Sequence, residues 1–287
     1  MAFLDRVVPK RFRKKGLAIP VVRLHGAIMT GGSQFKPTLS LATVAPMLEK
    51  AFGRKDAPVV VISLNSPGGS PVQSRLIFQR IRSLAEEKNK KVLIFVEDVA
   101  ASGGYMIALA GDEIFADPTS IVGSIGVVSG GFGFPELLRK IGVERRVYTS
   151  GENKVILDPF QPEKEGDVEY LKTLQVEIHK VFIDMVKTRR GQRLAADEEI
   201  FSGLFWTGNR SLELGLIDGL GDMRDVLKRR YGKDARLELI GSARTVFGRR
   251  LPGVQTVGLD PQALAAGAGA GLAAAVEEKA LWSRYGL

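Results

Sequence analysis

Apolar residues along the chain follow two alternating patterns. Short apolar runs, typical of strands buried in a parallel sheet, occupy residues 17–26, 58–65 and 91–98. Segments with apolar residues three or four positions apart, typical of amphipathic helices, follow these runs at residues 39–53, 70–88 and 102–111. Ser70 and Pro71 are suited to the N-cap and the first position of the second helix.

The second half of the chain continues the alternation with shorter strands and one long helix. The predicted strands are residues 112–117, 120–128 and 143–150, and the predicted helices are residues 134–142 and 165–191. One face of the long helix carries Val168, Leu171, Ile178, Phe182 and Met185. Alternating β and α elements at this spacing predict an α/β fold, in which helices wrap a parallel sheet.

Length and composition limit the classes of protein to which the chain can belong. The 287 residues suit one large α/β domain or two small ones, and 45% are hydrophobic, enough for a sizeable core. We expect neither a membrane-spanning helix, because no apolar run reaches about 18 residues, nor a secretory signal peptide. The sequence has no cysteine, which excludes disulfides and thiolate nucleophiles, and it has only two histidines.

The two ends of the chain differ from its middle. Residues 1–16 carry six basic side chains against one acidic one, a net charge of +5 within a total of +9. Such a basic, amphipathic segment can rest on an anionic membrane, or it can be a solvated tail. Residues 243–287 are rich in alanine and glycine, which predicts a tail or a docking helix. The middle, residues 17–242, contains all of the predicted sheet and is the predicted main domain, and nothing in it favours nucleic-acid binding.

A serine between small residues, Ser102 in "AASGGY", is the first candidate for chemistry. It follows a predicted strand and begins a helix, where the free N–H of Gly103 is placed to stabilise an oxyanion. The loop "NSPGG", residues 65–69, follows the neighbouring strand and offers a second donor. Two such donors form an oxyanion hole, worth roughly 2.7–4 kcal/mol per donor. Tight packing is the alternative role for both loops.

A serine nucleophile needs a base, and the two histidines do not suit this role. His25 ends the first predicted strand, and His179 lies within the long helix. A neutral lysine can replace histidine in such sites. Lys154 lies in a glycine-containing loop, "TSGENKVILDPF", which makes it the candidate base. Most lysines are solvated surface charges, so the presence of Lys154 in this loop does not by itself establish a catalytic base.

Four segments together resemble the signal peptide peptidase A family of Ser–Lys peptidases. They are "SLNSPGG", "EDVAASGGYMIALAGDEIFADPTSIVGSIGV", "SGENKVILDPF" and "FWTGNRSLELGLIDGLG", in family order across most of residues 17–240. The resemblance implies that Ser102 is the nucleophile, Lys154 the general base, and Ser124 the serine that orients this lysine. It implies Gly103 and Gly69 as oxyanion donors, with Gly68 as the alternative to Gly69. The lysine loop departs from the usual Gly-x-Tyr-Lys, since it has "GENK".

The resemblance carries further expectations. The fold is the Clp-peptidase and crotonase-like superfold, with repeated β-β-α units and a parallel sheet wrapped by helices. The activity is hydrolysis of peptides, such as remnant signal peptides or membrane-derived fragments, without cofactor or metal. Half-length members form rings, so we expect a homo-oligomer, an octamer. We expect the bacterial cytoplasm, with peripheral contact to the inner membrane through residues 1–16; family members often carry an N-terminal anchor, which we do not find.

Two other functions remain open on this fold. A crotonase-type acyl-CoA enzyme uses a similar oxyanion hole, but it commonly needs glutamates beside the hole, and neither glycine loop contains one. A catalytically silent scaffold is the other alternative, and the presence of Ser102, Ser124 and Lys154 argues against it. Reaction of Ser102 with a fluorophosphonate, together with peptide turnover, distinguishes the three functions.

Overall fold

Three almost wholly apolar strands form the centre of the sheet. The protein is described by a computed structural model, which covers residues 16–30, 38–241, 276 and 278–287. Strands β1 (Ala18–His25), β2 (Val59–Ser66) and β3 (Lys91–Ala101) pair in parallel, with Val22 opposite Ile62 and Ile62 opposite Ile94. Every residue of β2 is buried, because helices cover both faces of the sheet at this strand.

Shorter strands extend the sheet on both sides. The outer strands are β4 (Glu113–Ala116), β5 (Ile121–Gly123), β6 (Phe205–Thr207), β7 (Gly219–Leu220) and β8 (Arg236–Leu239). The sheet has eight strands among the described residues, and its main path runs β6-β5-β3-β2-β1-β8. Strand β4 pairs with β3 and β7, and of the described strand pairs only β5–β6 is antiparallel.

Four of the described α-helices begin after a residue whose side chain caps them, namely Ser40, Ser70, Thr207 and Asp222. Ser70 caps α2 (Pro71–Glu87) by accepting a hydrogen bond from the Gln73 N–H, and Pro71 is the first helical residue, both as predicted. Residues 278–283 are also helical, and none of the described helices combines the length and apolar character needed to cross a bilayer. The helices are α1 (Leu41–Phe52), α2 (Pro71–Glu87), α3 (Gly103–Ala108), α4 (Pro135–Lys140), α5 (Glu165–Arg190), α6 (Gly208–Glu213) and α7 (Met223–Tyr231), with 3-10 turns at Gly191–Arg193 and Glu198–Phe201.

The core lies on both faces of the sheet. The larger cluster joins α1, α2, α3 and the end of α5 to one face, with Leu48, Ile77 and Phe182 fully buried. The smaller cluster packs α7 on the other face, where the rings of Phe95 and Phe115 stack with centroids 5.1 Å apart. The predicted α/β fold, with a mostly parallel sheet wrapped by helices, is therefore confirmed.

A long excursion, residues 127–181, projects from this core, and we call it the arm. No residue of the arm is buried, and all of it is described. The prediction of a strand at residues 143–150 is wrong, because this part of the arm pairs with none of the described strands and leaves Val143 and Tyr148 exposed. The predicted apolar face of α5 is only partly correct: Phe182 is buried, whereas Ile178 is 37% exposed.

An ion pair at the root of the arm fixes the end of α5. Arg190, 2% exposed, donates two hydrogen bonds to the Asp218 carboxylate (2.8 and 3.0 Å) and one to the Gly215 carbonyl (2.7 Å). Burial alone would raise the pKa of Asp218. The pKa is nevertheless lowered, because Arg190 donates hydrogen bonds to the carboxylate and is positively charged, the Ile114 N–H donates a further bond, and Arg193 adds a second positive charge. The carboxylate thus stays charged where α5 meets the sheet.

Two predictions on the chain ends fall mostly outside the described residues. Of the basic segment 1–16, only Gly16 is described, so its membrane contact stays a prediction. Of the alanine- and glycine-rich segment 243–287, residue 276 and residues 278–287 are described. The boundaries of the predicted catalytic domain, 17–242, stay predictions as well.

Candidate active site

Ser102 lies on a sharp turn between a strand and a helix. β3 ends at Ala101 and α3 begins at Gly103, and the turn gives Ser102 a φ of +52°. Its N–H donates to the Gly123 carbonyl at 2.8 Å, which ties the turn to β5. A positive φ is costly for serine, by about 1–3 kcal/mol, and such strain is concentrated at functional sites. Ser124, at the end of β5, shares this feature with a φ of +53°.

The glycine loop presses against Ser102. A Cβ added to Gly68 would lie 2.8 Å from the Ser102 Cβ and 2.9 Å from the Gly103 nitrogen. A Cβ on Gly69 would lie 2.2 Å from the Ile28 carbonyl oxygen. Both glycines have positive φ, +101° and +135°. Backbone therefore approaches the serine from the neighbouring strand at a distance that only glycine allows.

Hydrogen bonds in the glycine loop distinguish Gly69 from Gly68, the two candidate oxyanion donors of this loop. Ile28 binds the loop on both sides of Gly69: its N–H donates to the Gly68 carbonyl (2.8 Å), and its carbonyl accepts from the Ser70 N–H (2.7 Å). Gly69 N–H therefore points away from Ile28, and it has no partner among the described residues. Gly68 N–H instead donates to the Ser66 hydroxyl at 3.3 Å. Gly69 is thus the better donor for an oxyanion.

A cavity of about 390 Å³ opens beside Ser102. Gly69 and Gly103 line it together with Ser102, so both candidate donors border the space that the serine faces. Gly103 is the first residue of α3, where an N–H has no acceptor within the helix. The apolar residues of the wall include Ile28, Met29, Pro67, Met106, Val127 and Val128. The cavity can therefore hold an apolar side chain next to a carbonyl that Ser102 could attack.

Ser124 lies beside this cavity but does not line it. It is 5% exposed, and its N–H donates to the Leu204 carbonyl at 2.7 Å. The strand register that pairs Ala101 with Gly123 brings Ser102 and Ser124 to the same end of two neighbouring strands. The structure thus brings together four of the predicted site residues: Ser102, Ser124, Gly69 and Gly103.

Lys154 is not brought to this site within one chain. It lies in a turn of the arm, where its N–H donates to the Gly151 carbonyl, and it is exposed. It is absent from the residues that line the cavity. A single chain, as far as it is described, therefore offers the candidate nucleophile and the candidate oxyanion donors without the predicted base.

Neither histidine lines the cavity. His25 Nε2 lies 3.3 Å from the Ser63 hydroxyl and 3.1 Å from the Glu97 carboxylate. Burial lowers the pKa of His25, although Glu97 acts in the opposite direction. His179 Nε2 is 3.0 Å from the Ile125 carbonyl, a backbone contact at the root of the arm. The described residues also contain no cluster of His, Asp or Glu that could hold a metal ion.

Sequence reasoning missed two features of the site. The side chain of Asn65 donates to Asp98 (2.5 Å) and accepts from the Val99 N–H (3.1 Å), which joins β2 to β3 just before the glycine loop and Ser102. Leu281 and Arg284, from the far end of the chain, also line the cavity. The only signal for the second feature is the apolar spacing of Leu281, Trp282 and Tyr285 within an alanine- and glycine-rich segment.

Comparison with known proteins identifies the family. The model of peptidase family S49 matches residues 85–236, more than half of the chain. The chain belongs to peptidase family S49. The predicted resemblance to signal peptide peptidase A is thereby confirmed, and the parallel sheet wrapped by helices agrees with the Clp-peptidase and crotonase-like fold of this family.

Similar proteins carry different names. "Serine protease SPPA, chloroplastic" of Arabidopsis thaliana is 30% identical over 71% of this chain and 29% of its own length. "Protease 4" of Haemophilus influenzae is 28% identical over 74% of this chain and 34% of its own length. A protein of Brucella abortus named "Na(+)/H(+) antiporter NhaA" is 65% identical over 99% of this chain. The chain spans only 39% of that relative's length, so the match covers one part of a longer protein.

Proposed function

We propose that the chain is a serine endopeptidase in which Ser102 attacks the scissile carbonyl of a peptide. The observation that carries this proposal is the strained turn at Ser102, packed against a glycine loop and bordering a cavity lined by Gly69 and Gly103, whose N–H groups have no acceptor among the described residues. As Ser102 Oγ bonds to the carbonyl carbon, negative charge develops on the carbonyl oxygen. The N–H groups of Gly69 and Gly103 stabilise this charge, and each donor contributes roughly 2.7–4 kcal/mol in such sites.

The general base in this proposal is Lys154, in its neutral form. It accepts the Ser102 proton and returns it to the leaving amine, while the Ser124 hydroxyl orients the ammonium group. Because Lys154 is exposed on the arm and does not line the cavity of its own chain, we propose that a neighbouring copy supplies it. A working site then combines Ser102 of one chain with Lys154 of the next.

The surface of the arm supports such an assembly. Large apolar side chains are exposed along it, which is unfavourable in water unless another surface covers them. A second copy is the occupant we propose, and the family resemblance points to a closed ring of eight. The exposed apolar residues of the arm include Val128 (66%), Phe132 (81%), Leu137 (52%), Ile141 (60%), Tyr148 (90%) and Val176 (67%).

The proposed substrates are unfolded peptides, such as remnant signal peptides or membrane-derived fragments. The apolar wall of the cavity supports acceptance of apolar side chains, and an enclosed ring would keep folded proteins from the nucleophile. We further propose that the chain acts in the bacterial cytoplasm, in contact with the inner membrane through residues 1–16. The antiporter name belongs to a longer Brucella protein, and the S49 match favours peptide hydrolysis for the shared part.

Reaction with a fluorophosphonate tests the nucleophile. Wild-type protein should become labelled at Ser102 and should hydrolyse peptides, whereas Ser102→Ala should do neither and should melt within a few degrees of wild type. Labelling without peptide hydrolysis, but with acyl-CoA turnover, would indicate the crotonase-type function. Correctly assembled protein that neither labels nor turns over either substrate would indicate a scaffold.

Complementation tests the shared site. Ser102→Ala and Lys154→Ala chains should each be inactive, and particles assembled from both should regain part of the wild-type activity, because some sites then combine an intact serine with an intact lysine. Mass spectrometry of the mixed particles verifies that both chains are present. Verified mixed particles without activity would mean that serine and lysine act within one chain.

A further inference from the structure

Residues 278–287, which we call the cap segment, contact both sides of the cavity at Ser102. Leu281 and Arg284 form part of the cavity wall. On one side, the Tyr285 hydroxyl donates a long hydrogen bond (3.5 Å) to the Pro67 carbonyl, in the glycine loop. On the other side, the Tyr285 ring meets the Phe205 ring edge-on, with centroids 5.1 Å apart and planes at 72°. The segment therefore bridges the opening between the glycine loop and β6.

The cap segment is built as a small amphipathic element. Leu281, Trp282 and Tyr285 are half-buried, whereas Lys279 and Ser283 are exposed. Local hydrogen bonds close its end, from the Tyr285 and Leu287 N–H groups to the Trp282 carbonyl. One face thus packs toward the cavity and the other faces water, which is the pattern of a segment docked on a surface.

The contacts of Tyr285 lie next to the residues of the proposed chemistry, because Pro67 directly precedes Gly68 and Gly69 in the glycine loop. Leu281 and Arg284 line the same cavity as Ser102, Gly69 and Gly103. A peptide that approaches Ser102 between Pro67 and Phe205 meets the cap segment, because Tyr285 contacts both of these residues. The aromatic edge contact and the long hydrogen bond of Tyr285 are each weak enough to be exchanged for contacts with a substrate.

We propose that the cap segment is an intramolecular ligand of the peptide cleft, which competes with substrate for the cavity at Ser102. This inference rests on the proposed function, since it assigns the cavity to peptides. Competition from within one chain raises the apparent KM by a factor of one plus the ratio of effective concentration to dissociation constant. For an effective concentration of about 1 mM and a dissociation constant of about 0.1 mM, the apparent KM rises about tenfold.

The test compares full-length variants that differ in one contact. Tyr285→Ala removes both the Phe205 and the Pro67 contacts, and Lys279→Ala changes an exposed residue of the same segment as the matched control. Tyr285→Ala should lower the KM for a peptide about tenfold with kcat unchanged, and it should speed fluorophosphonate labelling of Ser102. Lys279→Ala should behave like wild type. A synthetic peptide of residues 278–287 should inhibit Tyr285→Ala competitively, and a scrambled peptide should not.

Hydrogen exchange separates this inference from the proposed function. In Tyr285→Ala, amides of the cap segment and of residues 68–70 should exchange faster, whether or not the protein hydrolyses peptides. Faster exchange in a protein with no activity in any form would refute the peptidase function, and docking of the cap segment would stand. Active protein in which Tyr285→Ala leaves both exchange and KM unchanged would overturn the inference. So would faster exchange with an unchanged KM, because the segment would then dock without obstructing substrate.

Discussion

Replacing Gly69 by alanine tests the geometry of the oxyanion hole. The new Cβ would lie 2.2 Å from the Ile28 carbonyl oxygen, at a φ of +135° that alanine rarely adopts. The loop must therefore shift, and the shift moves the Gly69 N–H away from the space beside Ser102. Loss of one oxyanion donor raises the barrier by roughly 2.7–4 kcal/mol, which corresponds to a fall in kcat of about 10²–10³.

The same substitution has a separate cost in stability. A strained backbone position costs about 1–3 kcal/mol, and each kcal/mol lowers Tm by about 2–4 °C in a protein of this size. Gly166→Ala is the matched control, since Gly166 lies in the first turn of α5 and a Cβ there meets nothing within 4 Å. The assay is peptide hydrolysis under saturating substrate, alongside a melting curve. Gly69→Ala with kcat within twofold of wild type would refute the assignment of Gly69 as a donor.

Three further predictions concern the base, the root of the arm and the chain start. Lys154→Met should abolish peptide hydrolysis and leave Tm unchanged, because the side chain is exposed in the single chain; a normal rate would rule it out as the base. Asp218→Asn should cost about 3–5 kcal/mol in urea unfolding at pH 7, because it leaves Arg190 buried without its partner. Because folding lowers the pKa of Asp218, its charged carboxylate stabilises the folded state above the unfolded pKa of about 3.9, and this stabilisation is lost as the pH falls through the folded pKa. On acidification, wild type should therefore lose more unfolding free energy than Asp218→Asn, and equal losses would contradict this. Deleting residues 1–15 should abolish salt-sensitive binding to anionic vesicles and spare peptide hydrolysis; binding that survives the deletion would place the membrane contact elsewhere.

The central strands of the sheet could be predicted from the sequence because each is an apolar run that can be recognised locally. A strand such as β2, buried at every residue, needs an unbroken apolar run, and such runs are visible without a structure. The glycine loop and the small residues around Ser102 were equally visible, because close approach of backbone permits only small side chains. Ser102, Ser124, Gly69 and Gly103 could therefore be expected to lie together.

The arm and the cap segment could not be predicted in the same way. Residues 143–150 resemble a strand locally, but a strand forms only where a sheet edge is available, and no local pattern encodes that. The first half of α5 has the apolar spacing of a core helix, although the described part of the chain buries none of its residues. In residues 278–287, Tyr285 contacts Pro67 and Phe205, which are distant in the sequence, so the docking of this segment beside the cavity could not be derived from its composition.

The Arg190–Asp218 ion pair anchors α5 at its C-terminal end, so a small tilt there moves the exposed N-terminal end of the helix by a larger distance. α5 extends 25 residues from Arg190 back to Glu165, which at about 1.5 Å per residue is roughly 37 Å. A tilt of about 5° at Arg190 would displace the start of α5 by about 3 Å, whereas a misplacement of about 1 Å can reduce a catalytic rate about 10²-fold. In the proposed ring, the precision with which one copy delivers Lys154 to the next therefore depends on the partly buried carboxylate of Asp218 in its own chain.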